Sequence, residues 1–261
     1  MLQLTNKNYH SQEANRDYMS RSQFKGFMDC EAKEMAKLNG LWLEEKSTAL
    51  LVGSYVHSWN EGTRREFIAE NPEMFKKDGS LKAEYLQADK MINCLQSDKL
   101  AMYMLEGQKE VIFTAEFAGA VWKVMADVYN PERKRMVDLK TTRSITDRAW
   151  SDEHYAKVSF VEQYNYVLQA ALYCEIERLA SDREQWLDFY VVAVSKESVP
   201  DKAVIDLRDP ERYIQELEIV KAAMPRVLAI KSGQIEPIRC GCCDYCRSTK
   251  VLSRAVHYSE L

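Results

Sequence analysis

The residues best suited to chemistry lie between Trp122 and Thr142, where Asp127 comes near the end of one strand-forming run and Asp138-Leu139-Lys140 near the end of the next. The run Val121-Trp122-Lys123-Val124-Met125-Ala126-Asp127-Val128-Tyr129 is rich in β-branched and aromatic residues, and Asn130-Pro131-Glu132-Arg133 after it reads as a turn. Met136-Val137-Asp138-Leu139-Lys140-Thr141-Thr142 has the same character. Strand side chains alternate between faces, so Asp138 and Lys140 point one way while Val137 and Leu139 point into packing. A carboxylate and an ammonium then sit side by side, with Asp127 available from the neighbouring strand. Two acidic groups can hold a hard divalent cation, and a lysine beside them can orient a water or stabilise charge building on a phosphate. That is metal-assisted phosphodiester hydrolysis in outline. An Asp and a Lys at this spacing are more often a solvated ion pair of little energetic weight, so the surrounding pattern has to decide.

The elements that must position these groups predict a single α/β domain with a helical front end. Capping by Ser20 or Ser22 starts a helix that runs to about residue 38, a second spans about 48–69, and a third about 82–105. Strands follow at about 110–117, 121–129 and 135–142, then a helix over about 160–180, strands at about 186–194 and 203–207, and a helix over about 210–232. The expected organisation of 1–261 is thus a helical part over about 1–106, an α/β core over about 107–232 and a Cys-rich tail over about 233–261.

Three of these elements carry further candidates. His57 lies in the apolar helical segment Leu50-Leu51-Val52-Gly53-Ser54-Tyr55-Val56-His57-Ser58-Trp59-Asn60-Glu61, where helical spacing puts His57 and Glu61 on one face and Gly53 permits close approach of another chain segment. A lone histidine there is more often a hydrogen-bonded core residue than a ligand. Glu116 ends Val111-Ile112-Phe113-Thr114-Ala115-Glu116-Phe117, which Ala118-Gly119-Ala120 turns back into the Asp127 strand; its alternative is a solvated hairpin-end glutamate. In the 160–180 helix Gln169 and Tyr173 share a face, with Tyr166 nearby, beside an apolar stripe that includes Val167, Leu168, Ala171 and Leu172.

Taken in order, His57, Glu116, Asp127, Asp138-Leu139-Lys140 and Gln169-Ala170-Ala171-Leu172-Tyr173 resemble the PD-(D/E)XK nuclease superfamily. More narrowly they resemble its branch of RecB-type nuclease domains and phage exonucleases related to exodeoxyribonuclease VIII. The resemblance runs from about Ser20 to Arg254, with one departure: the proline of the family's Pro-Asp is Ala126 here. It implies a restriction-endonuclease-like core, a central mixed sheet flanked by helices. It also implies Mg2+ or Mn2+ bound by Asp127, Asp138 and the Leu139 carbonyl, with the His57 imidazole as a further ligand. Lys140 would position the attacking water, Glu116 would stand beside the metal, and Gln169 and Tyr173 would contact the substrate phosphate or hold the water. The implied activity is exonucleolytic cutting at the ends of linear double-stranded DNA in phage-type recombination or DNA processing, with a single-strand annealing recombination protein as partner. Homo-oligomers occur among such relatives, although no feature of this chain dictates a ring. Two rival readings share the motifs: a non-catalytic nucleic-acid-binding or cluster-bearing interaction protein, and a CRISPR-adaptation-type single-strand nuclease.

Composition bounds these readings. The 261 residues are 46% hydrophobic and 29% charged, as expected of an ordinary globular chain. No apolar run approaches the roughly 20 residues needed to span a bilayer, and the polar start is no signal peptide, so a cytoplasmic protein without membrane contact is expected. A formal net charge of -4 supplies no overall attraction for nucleic acid. Local positive charge is dense in Arg133, Lys134, Arg135, Lys140, Arg143 and Arg148, expected to flank the site.

Seven cysteines occur, and Cys240, Cys243 and Cys246 form a C-x2-C-x2-C run, a spacing that gathers thiolates around a metal or cluster. Cys30 is the candidate fourth ligand. The segment ending in Phe27-Met28-Asp29-Cys30 resembles the N-terminal cysteine motif of the iron-sulfur subgroup of these nucleases, which implies a [4Fe-4S] cluster on Cys30, Cys240, Cys243 and Cys246 with Cys242 outside the set. A zinc ion held by the tail cysteines, or thiols with no metal, remain alternatives. Cys94 and Cys174 read as buried small hydrophobes.

Overall fold

The computed structural model describes residues 1–44, 47–152 and 155–260. Its centre is a five-stranded mixed sheet built from β1 (Gln108–Phe117), β2 (Ala120–Asn130), β3 (Arg135–Thr142), β6 (Asp188–Ser195) and β7 (Lys202–Asp206), in the order β1-β2-β3-β6-β7. Neighbours are antiparallel except β3 and β6, whose parallel pairing needs the crossover through α8 (Phe160–Gln163) and α9 (Tyr166–Ala180). Before the crossover, β4 (Ala149–Ser151) and β5 (Ala156–Val158) form a small separate ribbon that sequence pattern did not predict.

Both faces of the sheet are covered. Met136, Phe189, Val191 and Ala193 face one core with α9, α10 (Pro210–Lys231) and α2 (Arg21–Asp29), whereas Val137, Leu139, Val192 and Val194 face the other with α4 (Thr48–Glu61), α6 (Ala83–Gln96) and α7 (Lys99–Met104). This double burial explains the near-continuous apolar run in β6. The N-terminal α1 (Gln12–Asp17) and α3 (Glu31–Leu38) complete the first layer, α5 (Arg64–Glu70) follows α4, and α11 (Asp244–Ser248) lies in the Cys-rich tail.

Four expected helices are each broken by a local feature. Cys30 is extended (φ -166°), so the helix expected to run on to residue 38 is two, α2 and α3. Gly62 takes a left-handed φ of 80° that ends α4 before α5. The Asp98 carboxylate accepts from the Ala101 amide at 2.9 Å and starts α7 afresh. Asn165, left-handed at φ 52°, separates α8 from α9. In each case the apolar periodicity continues across the break, which is why the sequence pattern hid it.

The feature that creates the site is a split between β2 and β3. Their pairing covers only Val128, Tyr129 and Asn130 against Val137, Met136 and Arg135. Nearer its start, β2 bonds instead to the N-terminal segment, with Met19 N donating to Val121 O and Lys123 N to Met19 O, each at 2.8 Å. Side-chain alternation also breaks there: Trp122, Val124 and Ala126 face the first core, Val128 the second. Opposite Asp127, Glu110 adopts a φ of +52°, an irregularity of the kind that re-aims side chains at functional edges.

Candidate active site

The split opens into a cleft of about 930 Å³ whose lining includes His57, Glu61, Glu110, Asp127, Asp138, Lys140, Gln169 and Tyr173. Asp127 stands at its apex. Its Oδ2 accepts the Leu139 amide at 2.8 Å, replacing the ladder bond lost where the strands part, and lies 3.5 Å from His57 Nδ1. Burial lifts the Asp127 carboxyl above its ordinary range; His57 opposes this, and the charge of Asp138 adds to it.

Asp138 and Lys140 share a strand face as predicted. Asp138 Oδ1 accepts from Lys140 Nζ at 3.0 Å and from Gln169 Nε2 at 2.7 Å. The buried Oδ2 lies 2.8 Å from the same ammonium yet has no donor aligned on it. Burial alone would lower the Lys140 pKa, but Asp138 and Asp127 outweigh it and hold the group above its ordinary value, so it remains a cation. The Tyr166 ring supports Nζ at 5.0 Å to its centroid.

Helix α4 supplies His57 and Glu61 from one face. It comes close to β3 at Gly53, where an added Cβ would lie 3.2 Å from Thr141 Oγ1. Ligand atoms of His57, Glu61 and Glu110 lie within 4.8 Å of one another. Glu110 is pushed up to about 8 by burial first, then by the charges of Asp127, Glu61 and Asp138.

Two expectations need correction. Glu116 is not at the cleft: it pairs with Val121 near the hairpin end, is exposed, and lines a separate hollow beside Ala118 and Gly119. The tight turn at Ala118-Gly119 fixes the register, and that register puts Glu110 opposite Asp127. The basic cluster also divides. Arg133 pairs with Glu106 at 2.6 Å, Arg135 is buried, and both stack on Tyr103 at the end of β3 remote from Lys140. Arg143 and Arg148 line a hollow beyond the other end of β3.

Gln169 lines the cleft, is 5% exposed, and donates its Nε2 to the Asp138 carboxylate. Tyr173 lines the cleft and packs edge-on against Phe189, its pKa raised well above the ordinary value by burial, with Tyr9, Asp138 and Asp127 adding. Sequence reasoning also missed Arg21 and Lys123 in the cleft wall. Arg21 donates to the Tyr164 carbonyl and, at 3.1 Å, to that of Asn165, which ties α2 to the start of α9. Lys123 is 1% exposed, bonds Asn15 Oδ1 at 2.8 Å, and is brought down to about 8 by burial, with Lys231 adding. A lysine inside Val121-Trp122-Lys123-Val124 was the available signal, as was counting back from the turn for Glu110.

The donor set around the apex is oxygen and imidazole nitrogen, and the orphaned Asp138 Oδ2 leaves a carboxylate lone pair uncommitted. Both fit a hard divalent cation such as Mg2+ or Mn2+. Ligand atoms of Cys30, Cys240, Cys243 and Cys246 also converge within 4.8 Å, without Cys242. Cys174 is buried as expected, while Cys94 is only half-buried.

Comparison with other proteins agrees with this geometry. Residues 20–249 match the family described as a PDDEXK-like domain of unknown function (DUF3799). A crystal structure from Eubacterium rectale, named "Putative exonuclease", is 41% identical, with a TM-score of 0.93 over 100% of this chain and 98% of that one. A second solved chain, SSO0001, is 15% identical over 86% of this chain and 91% of that one, with a TM-score of 0.30. No curated protein matches the chain. No helix of the described residues is long and apolar enough to cross a membrane. The residues that close the cleft and the match over most of the sequence lead to one assignment: the chain belongs to the PDDEXK-like family and has the fold of PD-(D/E)XK nucleases.

Proposed function

We propose that the protein is a metal-dependent deoxyribonuclease that removes nucleotides from the ends of linear double-stranded DNA, in recombination or DNA processing of the phage type. The observation that carries the reading is the buried Asp138 carboxylate, held by Gln169 and Lys140 with Oδ2 unsatisfied, beside Asp127 at the apex of an open cleft. Asp127, Asp138 and the Leu139 carbonyl would hold Mg2+ or Mn2+, with His57 as a nitrogen ligand and Glu110 and Glu61 within reach. Bound there, the ion supplies Lewis-acid polarisation of the scissile phosphate and lowers the pKa of a coordinated water.

The chain's own groups account for the rest. Lys140, kept protonated by Asp138 and Asp127, donates toward the attacking water and offsets charge growing on the phosphate. Gln169 fixes the Asp138 rotamer, and Asp127 keeps its place through the Leu139 amide. The Tyr173 hydroxyl, held protonated, is available as a donor to a phosphate oxygen. Exonuclease activity is favoured by the name of the Eubacterium rectale relative. A single-strand annealing protein as partner and a homo-oligomeric assembly belong to the same reading.

The test is digestion of linear and covalently closed circular duplexes by the purified chain with Mg2+ or Mn2+. Loss of the linear form alone supports an end-directed exonuclease, and cutting of circles makes it an endonuclease. Preference for single strands would favour the adaptation-type reading, and binding without cutting of any substrate the non-catalytic one.

A further inference from the structure

We propose that Cys30, Cys240, Cys243 and Cys246 bind a single tetrahedral zinc ion that clamps the C-terminal segment to the α2–α3 junction, in place of the [4Fe-4S] cluster the sequence resemblance implies. The spacing of the sulfurs is the first argument. Cys30 Sγ lies 3.6 Å from Cys246 Sγ, Cys240 Sγ lies 3.9 Å from Cys246 Sγ, and all four fall within 4.8 Å of one another. Four thiolates on one ion, each at about 2.3 Å, stand about 3.8 Å apart at the corners of a tetrahedron. A four-iron cluster binds each thiolate to a different iron, so its sulfurs are separated by the width of the cluster as well as by two bonds. The gap between these four sulfurs fits one ion and is too small for that body.

The local backbone supports the same reading. Cys243 N points at Cys240 Sγ and Cys246 N at Cys243 Sγ, each at 3.4 Å, so two amides donate to sulfurs that would carry negative charge. Arg239 stacks on Tyr245 and donates to the Cys246 carbonyl at 3.0 Å, which brings a cation beside a site that would be doubly negative with zinc bound. Cys242 is exposed; its Sγ approaches Cys240 at 3.7 Å but not the other three sulfurs together.

The structure also gives the ion a task. The apolar cluster here comprises only Cys30, Ala32 and Cys246, with Cys243 and Tyr245 at its margin, too small a core to hold a tail whose helix, α11, has five residues. Among the described residues the other ties include Ala32 N to Ile238 O at 3.1 Å, Ile238 N to Glu31 Oε2 at 2.7 Å, the Arg226–Glu31 pair at 2.6 Å, and the edge-on contact of the Trp42 and Tyr245 rings at 5.6 Å. Zinc ligation would add its binding free energy directly to folding of this segment, releasing thiol protons to solvent as it forms. Cys30 closes α2, whose other end carries Arg21 into the cleft about 13 Å away at the helical rise of about 1.5 Å per residue. The clamp is therefore structural and separate from the phosphate chemistry.

The experiment is elemental analysis and visible spectroscopy of the full chain purified anaerobically, followed by chelation. One zinc per chain without visible absorption is expected. Chelation should lower the thermal midpoint by several degrees and expose the tail to protease, and zinc should reverse both. Cobalt exchange should give the visible bands of a tetrahedral thiolate site. Cys246→Ser should lose the zinc and Cys242→Ser should keep it; should Cys246→Ser not fold, chelation and cobalt exchange of the unaltered chain decide. Iron and sulfide in about fourfold amounts with broad visible absorption would overturn the proposal, as would metal-free protein whose melting ignores added zinc. Loss of metal in Cys242→Ser would overturn the ligand set.

Discussion

The cleft and the cysteine cluster both gather ligand atoms from distant parts of the chain, but they are held in opposite ways. At the cleft the side chains stand on a sheet and helices buried on both faces, and their positions follow from packing of the whole core: Leu139 is fully buried between Asp138 and Lys140. Charge is concentrated there at a cost in desolvation, which the raised pKa values of Asp127 and Glu110 record. At the cluster the cysteine sulfurs lie in a short tail over a minimal apolar patch, so on the proposed zinc reading the ligands themselves would supply much of the local stability. On the proposed readings, the fold makes one site for chemistry, whereas the other helps to make the fold.

The strongest way to break this comparison is to remove charge from the cleft. Asp138→Ala and Lys140→Ala should each cost at least about 10²-fold to 10³-fold in cleavage while leaving the melting temperature near that of the parent. Near-normal digestion of linear duplex by either variant would remove the cleft from the chemistry. Cys246→Ser should show the reverse pattern: a lower melting temperature and loss of bound metal, with the cutting rate per folded molecule nearly unchanged when assayed well below the transition. Equal losses in rate and stability would mean that the two regions are coupled.

A smaller effect concerns protons. The folded-state pKa of Glu110 lies above the ordinary carboxylate range, at about 8, so the metal-free fold holds a proton that the unfolded chain releases. The corresponding stability is fully present below the ordinary glutamate pKa and is lost as pH rises toward about 8. Metal-free melting temperatures should therefore decline across that window, and Glu110→Gln should flatten the decline; an unchanged slope would show that Glu110 does not titrate there. The smallest effect is reserved for Glu116→Ala. Exposed at the hairpin end, Glu116 should be replaceable with cutting and stability within about 0.5 kcal/mol of the parent. A large loss of activity would return it to the site.

The Asp138-Lys140 pair was legible in the sequence because strand periodicity alone puts two residues separated by one on the same face, and the flanking Val137 and Leu139 mark the buried side. The five strands of the central sheet and the helix carrying Gln169 were legible for the same reason, since apolar periodicity is a local property, whereas the short β4–β5 ribbon was not. Only the tertiary structure decided that Glu110 rather than Glu116 stands against Asp127, because that depends on hairpin register and on the irregular backbone at Glu110. It also decided that Gln169 bonds Asp138, that Arg135 stacks on Tyr103, and that four distant sulfurs come within 4.8 Å of one another. Residue types and local periods are written along the chain. Distances between elements are set by how a closed core packs, and a separation of an ångström or two in that packing distinguishes a ligand from a bystander.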